Sequence, residues 1–189
     1  MRRGPIVGVL LAAGSATRFG ASKLNAPLPG GVPVGIAALE HLRAAVDEVM
    51  AVVRPGDASL ARALQSHGAR ISVCPGAADG MGVSLAWGVR AAPIAAGWVI
   101  ALADMPWVRS ETIAAVVAAL KSGAMAAAPE CAGSRGHPVG FAASLYAELI
   151  ALTGDEGAKG VLARYPPTLL ATEDPGILRD VDTRADLER

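Results

Sequence analysis

Near the N-terminus, a run of small residues carries two fixed cations: Leu10-Leu11-Ala12-Ala13-Gly14-Ser15-Ala16-Thr17-Arg18-Phe19-Gly20-Ala21-Ser22-Lys23-Leu24. Small side chains let backbone N–H groups approach an anion closely, and Arg18 and Lys23 can neutralise it. The pattern, Gly-x-x-x-Arg-x-x-x-x-Lys, lacks the Gly-Lys-Ser/Thr ending of a Walker A loop and is not the dinucleotide fingerprint Gly-x-Gly-x-x-Gly. A guanidinium grips oxygens through a planar fork and an ammonium acts as a point charge, so the pair could clamp different phosphates of one triphosphate. A solvated surface loop is the competing reading. The apolar run directly before the loop favours a nucleotide triphosphate site.

Other candidates are scattered along the chain. Asp104 follows the most hydrophobic segment, where a carboxylate must be solvated or paired with a cation. Magnesium suits it, because it takes one or two carboxylates and completes its shell with phosphate oxygens and water. Asp104 could instead cap the turn before Pro106. Asp182, in Asp180-Val181-Asp182-Thr183, is a candidate second ligand, the N-cap of a last helix, or both. Gly80-Met81-Gly82 leads into Ser84 at an expected helix start, where exposed N–H groups can bind an anion or read a base edge. Its glycines would let a flat base lie against the backbone; a flexible turn before an ordinary N-cap is the alternative. His137 precedes Pro138, which biases it to extended geometry, and reads as a substrate contact rather than a metal ligand. His41 and His67 fall late in expected helices and read as surface residues. In Asp155-Glu156-Gly157-Ala158-Lys159 the acidic residues would offset a helix dipole. Trp87, Trp98 and Trp107 read as packing residues, with Trp107 near enough to Asp104 to rim a pocket.

The elements that must position these residues alternate. Strands are expected at Ile6–Ala12, Glu48–Val53, 69–73, Gly97–Leu102, 124–128, 138–141 and Thr168–Ala171. Helices are expected from the stripe Ile36, Leu39, Leu42 and Val46, and from Asp57 as N-cap through Leu60, Ala61 and Leu64 to a stop at Gly68. Further helices are expected at 84–92, from a Ser110 cap through Ile113, Val116, Val117 and Leu120, at 144–152 and at 155–164, with a helical turn at 182–187. The alternation predicts an α/β fold: a mostly parallel sheet with helices on both faces and ligands beyond the C-terminal strand ends. Residues 14–23, 79–85, 103–106 and 135–138 would then gather at one sheet edge. No repeat, linker or low-complexity tract divides the 189 residues, so one domain over 1–189 is expected.

Composition narrows the partners. Lys plus Arg and Asp plus Glu each number 17, and the absence of a basic excess argues against nucleic acid. No apolar run is long enough to span a membrane. Arg2 and Arg3 before an apolar segment mimic a secretory signal, but no convincing cleavage site follows. Cys74 and Cys131 have no metal-ligand spacing and read as reduced thiols in a cytoplasmic protein.

Five motifs in register, Leu-Ala-Ala-Gly-x-x-x-Arg-Phe-Gly-x-x-Lys-Leu, Gly-Met-Gly-x-Ser-Leu, Leu-Ala-Asp-Met-Pro, Arg-Gly-His-Pro-Val and Asp-Val-Asp-Thr-x-x-Asp-Leu, together resemble the molybdenum cofactor cytidylyltransferases, within the wider MobA-like nucleotidyltransferases. The resemblance spans residues 7–187. It implies a Rossmann-like three-layer sandwich of glycosyltransferase-A type. It also implies magnesium-dependent transfer of a nucleoside monophosphate from a triphosphate to a phosphate-bearing acceptor, with release of pyrophosphate. Carried onto this chain, Leu11, Ala12, Ala13 and Gly14 would hold the nucleotide, with Gly80, Met81, Gly82 and Ser84 about its base. Arg18 and Lys23 would bind phosphates, Asp104 and Asp182 the metal, and His137 would face the acceptor. Ala12-Ala13-Gly14, in place of consecutive glycines, favours CTP over GTP by family analogy. The implied acceptor is a molybdopterin-type cofactor, with a molybdoenzyme or its chaperone as further partner. Guanylyl transfer, transfer to a sugar phosphate, and a cofactor-carrying chaperone are the alternatives. A chaperone would have no need to keep Arg18, Lys23 and Asp104 together.

Overall fold

In the computed structural model, which describes residues 4–14 and 23–188, the β-branched and apolar segments pair into one eight-stranded sheet. Its strands are β1 (Ile6–Ala12), β2 (Glu48–Val53), β3 (Arg70–Val73), β4 (Gly97–Leu102), β5 (Ala126–Cys131), β6 (Ser134–Arg135), β7 (Val139–Ala142) and β8 (Thr168–Ala171). The order is β3-β2-β1-β4-β7-β5-β6, with β8 beside β5. Strands β1 to β4 run parallel, as do β5 and β8. β7 is antiparallel to both β4 and β5, and β6 folds back on β5.

Alternation along the strands divides the core in two. Ile6, Leu10, Val49, Ala51, Val99 and Ala101 face one side, against α1 (Val34–Arg43), α2 (Ala58–Ser66) and α4 (Ser110–Lys121). Val7, Val9, Met50, Val52, Trp98 and Ile100 face the other, against α3 (Met81–Arg90), α5 (Tyr146–Ile150) and α6 (Lys159–Arg164). This is the expected three-layer α/β arrangement around a mixed, mostly parallel sheet. Helix α3 lies deepest on it: a β-carbon on Gly88 would come within 2.5 Å of Val9 and 2.8 Å of Val52.

Several boundaries differ from the sequence reading. Helix α1 ends at Arg43, leaving Val46 in the loop beyond it. Strand β3 starts at Arg70, and β5 runs later than 124–128, to Cys131. The β5–β6 hairpin was not foreseen; it turns on Ala132 and Gly133, both at positive φ, without the usual Asn-Gly signal. Asp57 occupies the N-cap position of α2 without a side-chain capping bond. Ser110 is the first residue of α4 rather than its cap, which falls at Arg109. The helix expected over 144–152 divides into a 3-10 turn (Ala143–Leu145) and α5. The one expected over 155–164 begins only at Lys159. At the C-terminus the helical turn is 3-10 and covers Arg184–Glu188.

The N-terminus of α4 is tied to a carboxylate far along the chain. Asp174 is 2 % exposed and accepts from the Arg109 N–H at 2.8 Å, the Thr112 hydroxyl at 2.7 Å and the Gly176 N–H at 2.9 Å. One carboxylate thereby ties the α4 N-terminus to the segment before the C-terminal 3-10 turns. Asp174→Ala would strand three donors, two of them buried, and should cost about 3 kcal/mol, read as a lowered urea midpoint without loss of the two-state transition.

Candidate active site

Lys23 opens a 3-10 turn (Lys23–Asn25) whose Leu24 is buried in the core, so the backbone beneath the ammonium is anchored. Asp104 stands just past β4. The Ala103 N–H donates to the Leu11 carbonyl at 3.1 Å, extending the ladder, and the Met105 N–H closes a tight turn onto Leu102. The C-terminal segment reaches the same point, because the Val181 N–H donates to the Asp104 carbonyl at 2.8 Å and Val181 is fully buried. Asp182 follows directly. The three side chains meet: Lys23 Nζ lies 2.7 Å from Asp104 Oδ2 and 3.5 Å from Asp182 Oδ1. Exposure rises outward, from 14 % at Lys23 through 24 % at Asp104 to 50 % at Asp182.

Lys23 and Asp104 line a cleft of about 560 Å³ over the C-terminal ends of the parallel strands, with Asp182 beside Lys23. Leu11, Ala13, Gly14, Lys23, Gly80, Met81, Ser84 and Asp104 line it. Ala12 does not: its side chain is buried in the core on the opposite face of β1. Arg18 lies outside the described residues. Arg54, Pro55 and Pro75 close the far end, at the ends of β2 and β3.

The Gly80-Met81-Gly82 segment is arranged differently from the sequence reading. Helix α3 starts at Met81, three residues early, so Ser84 is buried in the first turn. Gly80 has φ of +122°, and a β-carbon on Gly82 would fall 2.6 Å from the Thr153 carbonyl oxygen. These glycines admit the loop at 153–155 rather than leaving an open backbone edge. Two N-terminal N–H groups of α3 are already engaged, Met81 with Asp155 Oδ1 at 3.3 Å and Gly82 with the Gly154 carbonyl at 2.8 Å. That tertiary demand is also why residues 155–158 stay out of α6.

A neighbouring pocket of about 240 Å³ shares Leu11, Met81, Leu102 and Asp155 with the cleft. His137 lines this second pocket together with Arg135, Phe141 and Lys159. Its N–H donates to the Ile177 carbonyl at 3.0 Å, its peptide bond to Pro138 is cis, and its Nδ1 is buried with no hydrogen-bond partner among the described residues. Burial lowers its pKa below the ordinary 6.5; the Asp104 charge opposes that shift and Arg135 adds to it. Trp107 lies outside the cleft lining and carries the Arg179 guanidinium 4.1 Å above its ring.

Asp104 and Asp182 present hard carboxylate oxygens to a single cation, which fits magnesium or manganese. No group of three or more His, Cys, Asp or Glu suited to a metal occurs among the described residues. Phosphate oxygens and water would therefore complete the shell. Sequence reasoning missed the residue that holds Asp182 in place. Asp186 Oδ2 accepts from the Asp182 N–H at 3.1 Å, the Thr183 N–H at 2.7 Å and the Thr183 hydroxyl at 2.8 Å. Its signal was the Thr-x-x-Asp spacing, a capping pattern.

Comparison with known proteins finds relatives along most of the chain. The family model for the MobA-like NTP transferase domain matches residues 8–169. The purine catabolism protein PucB of Bacillus subtilis is 33% identical over 196 residues, covering 97% of this chain and 94% of PucB. The crystal structure of Rv0371c from Mycobacterium tuberculosis is 30% identical with a TM-score of 0.80, covering 98% of this chain and 96% of that one. A structure of Rv0371c in complex with manganese is 28% identical with a TM-score of 0.71, covering 98% and 94%.

Asp186→Ala should weaken Mn²⁺ binding about tenfold and cost about 1 kcal/mol of stability, by metal titration and urea unfolding. His137 gives a pH signature. As pH falls through 6.5 the unfolded chain takes up a proton that the folded chain resists. The stability His137 contributes is therefore full above that pH and is lost toward its depressed pKa. Urea midpoints at about pH 7.5 and 5.5 should differ less in His137→Gln than in the unaltered protein.

Proposed function

The chain belongs to the MobA-like NTP transferase domain family, and on that footing we propose that it transfers CMP from CTP to the terminal phosphate of a molybdopterin-type cofactor. The observation that carries this reading is the meeting of Lys23, Asp104 and Asp182, the first two lining a cleft large enough for a nucleotide. A phosphate oxygen of the acceptor attacks the α-phosphorus, the bond to the bridging oxygen breaks, and pyrophosphate departs with that electron pair. The attacking oxygen is already anionic, so no strong general base is needed. The demand is for charge neutralisation and in-line placement.

Each side chain then has a task. Lys23 and Arg18 bind nucleotide phosphates, and Leu11, Ala13 and Gly14 hold the nucleotide against the end of β1. Asp104 and Asp182 would hold magnesium, which when bound supplies neutralisation of phosphate charge. Asp186 keeps Asp182 on station. Ser84 and Met81 wall the nucleotide side, and His137 faces the acceptor in the neighbouring pocket. The manganese complex of Rv0371c supports a divalent cation in this fold. The favoured base rests on Ala12-Ala13-Gly14, with GTP as the competing donor. The name of PucB points to purine catabolism as the setting in which a recipient molybdoenzyme would work, in the cytoplasm.

Pyrophosphate release should be measured with magnesium, the molybdenum cofactor and each nucleotide triphosphate in turn. CTP should support turnover and GTP much less; preference for GTP would reassign the base, and silence with every triphosphate would end the enzymatic reading. Asp104→Asn should lower the rate by about a thousandfold, and Arg18→Ala by about a hundredfold, with folding intact by circular dichroism.

A further inference from the structure

We propose that Lys23 is an exchangeable counter-ion: with no nucleotide bound it holds the Asp104 and Asp182 carboxylates together, and it passes to the nucleotide phosphates when a divalent cation takes those carboxylates. This rests on the reading of the cleft as a nucleotide–metal site and adds an order of events to it.

The geometry places two claimants on the same oxygen. Asp104 Oδ2 accepts from Lys23 Nζ at 2.7 Å, and Asp182 Oδ1 lies 3.5 Å from that nitrogen. An ammonium between two carboxylates leaves one net negative charge, while the carboxylates alone offer two. A divalent cation therefore meets a weaker field while Lys23 stays, and an ammonium left beside the ion would be repelled at close range. Lys23 has little choice of partners once displaced. It is 14 % exposed, so its charge needs an anion rather than bulk water. Arg54, also in the cleft lining, faces Asp57 instead, with Nε 3.9 Å from Oδ2.

The exchange needs only side-chain motion. The Lys23 backbone is fixed by the 3-10 turn and by buried Leu24, while its four-carbon stem can swing the charge into the cleft it already lines. Two consequences follow. Lys23 offsets one of the two carboxylate charges, so the metal-free site repels an incoming polyanion less than the bare carboxylates would. Metal and nucleotide then bind with positive coupling, each favouring the Lys23 position that suits the other.

Mn²⁺ binding to the nucleotide-free full chain tests this without any turnover. By electron paramagnetic resonance or calorimetry, Lys23→Met should bind Mn²⁺ at least about tenfold more tightly than the unaltered protein, and Lys23→Arg should not. Binding by Lys23→Met that is no tighter, or is weaker, overturns the proposal. A second measurement needs no variant at Lys23: amine labelling followed by mass spectrometry should show Lys23 protected in metal-free protein and labelled several-fold faster with Mn²⁺. That gain should vanish in Asp104→Asn, and unchanged labelling of the unaltered protein likewise overturns the exchange. Pyrophosphate release judges the transferase reading separately, so a chain that turns over but fails here loses only the counter-ion role.

Discussion

An ammonium held between two carboxylates organises this molecule's functional edge. Lys23, Asp104 and Asp182 come from three places: the turn after the first loop, the end of a central strand, and the C-terminal tail. Each is fixed by apolar burial beneath it, through Leu24, Ala103 and Val181. Without the cation, the two acidic groups would repel each other beside a partly desolvated cleft. The tail would then lose one of its ties, although the Val181 N–H still binds the Asp104 carbonyl. The charges are affordable there because exposure rises toward Asp182 and solvent screens the outermost group.

A second constraint acts through the backbone. Helix α3 is sunk onto β1 and β2 at Gly88, and its N-terminus must then lie beside the cleft. The loop at 153–155 closes over that N-terminus and satisfies two of its N–H groups with Asp155 and Gly154. Such contact is possible only because Gly80 and Gly82 lack side chains. Asp155 of that loop, with Leu11, Met81 and Leu102, borders both the larger cleft and the pocket of Arg135, His137 and Lys159.

Distant segments are stitched by buried polar groups as well as by the sheet. Asp174 binds the start of α4 from more than sixty residues away in the chain, and the Ile177 carbonyl receives the His137 N–H. The C-terminal region therefore serves both structure and site. It ties down the start of a helix, supports the wall of the second pocket and delivers Asp182.

Local pattern alone determined the strands Ile6–Ala12, Glu48–Val53 and Gly97–Leu102, because apolar runs of that length have one good way to be buried, and it marked Thr168–Ala171, which is largely exposed. It also determined the α/β layering and the motif positions at strand ends, including Lys23, Asp104 and Asp182 as residues to watch. Tertiary contact decided the rest. Whether an ammonium meets one carboxylate or two depends on where the C-terminal tail docks, far along the chain from Lys23, and no spacing encodes that. The glycines of Gly80-Met81-Gly82 look the same in sequence whether or not a loop packs on them; here Thr153 and Gly154 do, while Gly80 and Met81 also line the cleft. The start of α3, the late start of α6 and the role of Asp174 were hidden for the same reason. Each depends on hydrogen-bond partners supplied from elsewhere in the fold, and a buried donor or acceptor takes whichever partner the packing brings within reach.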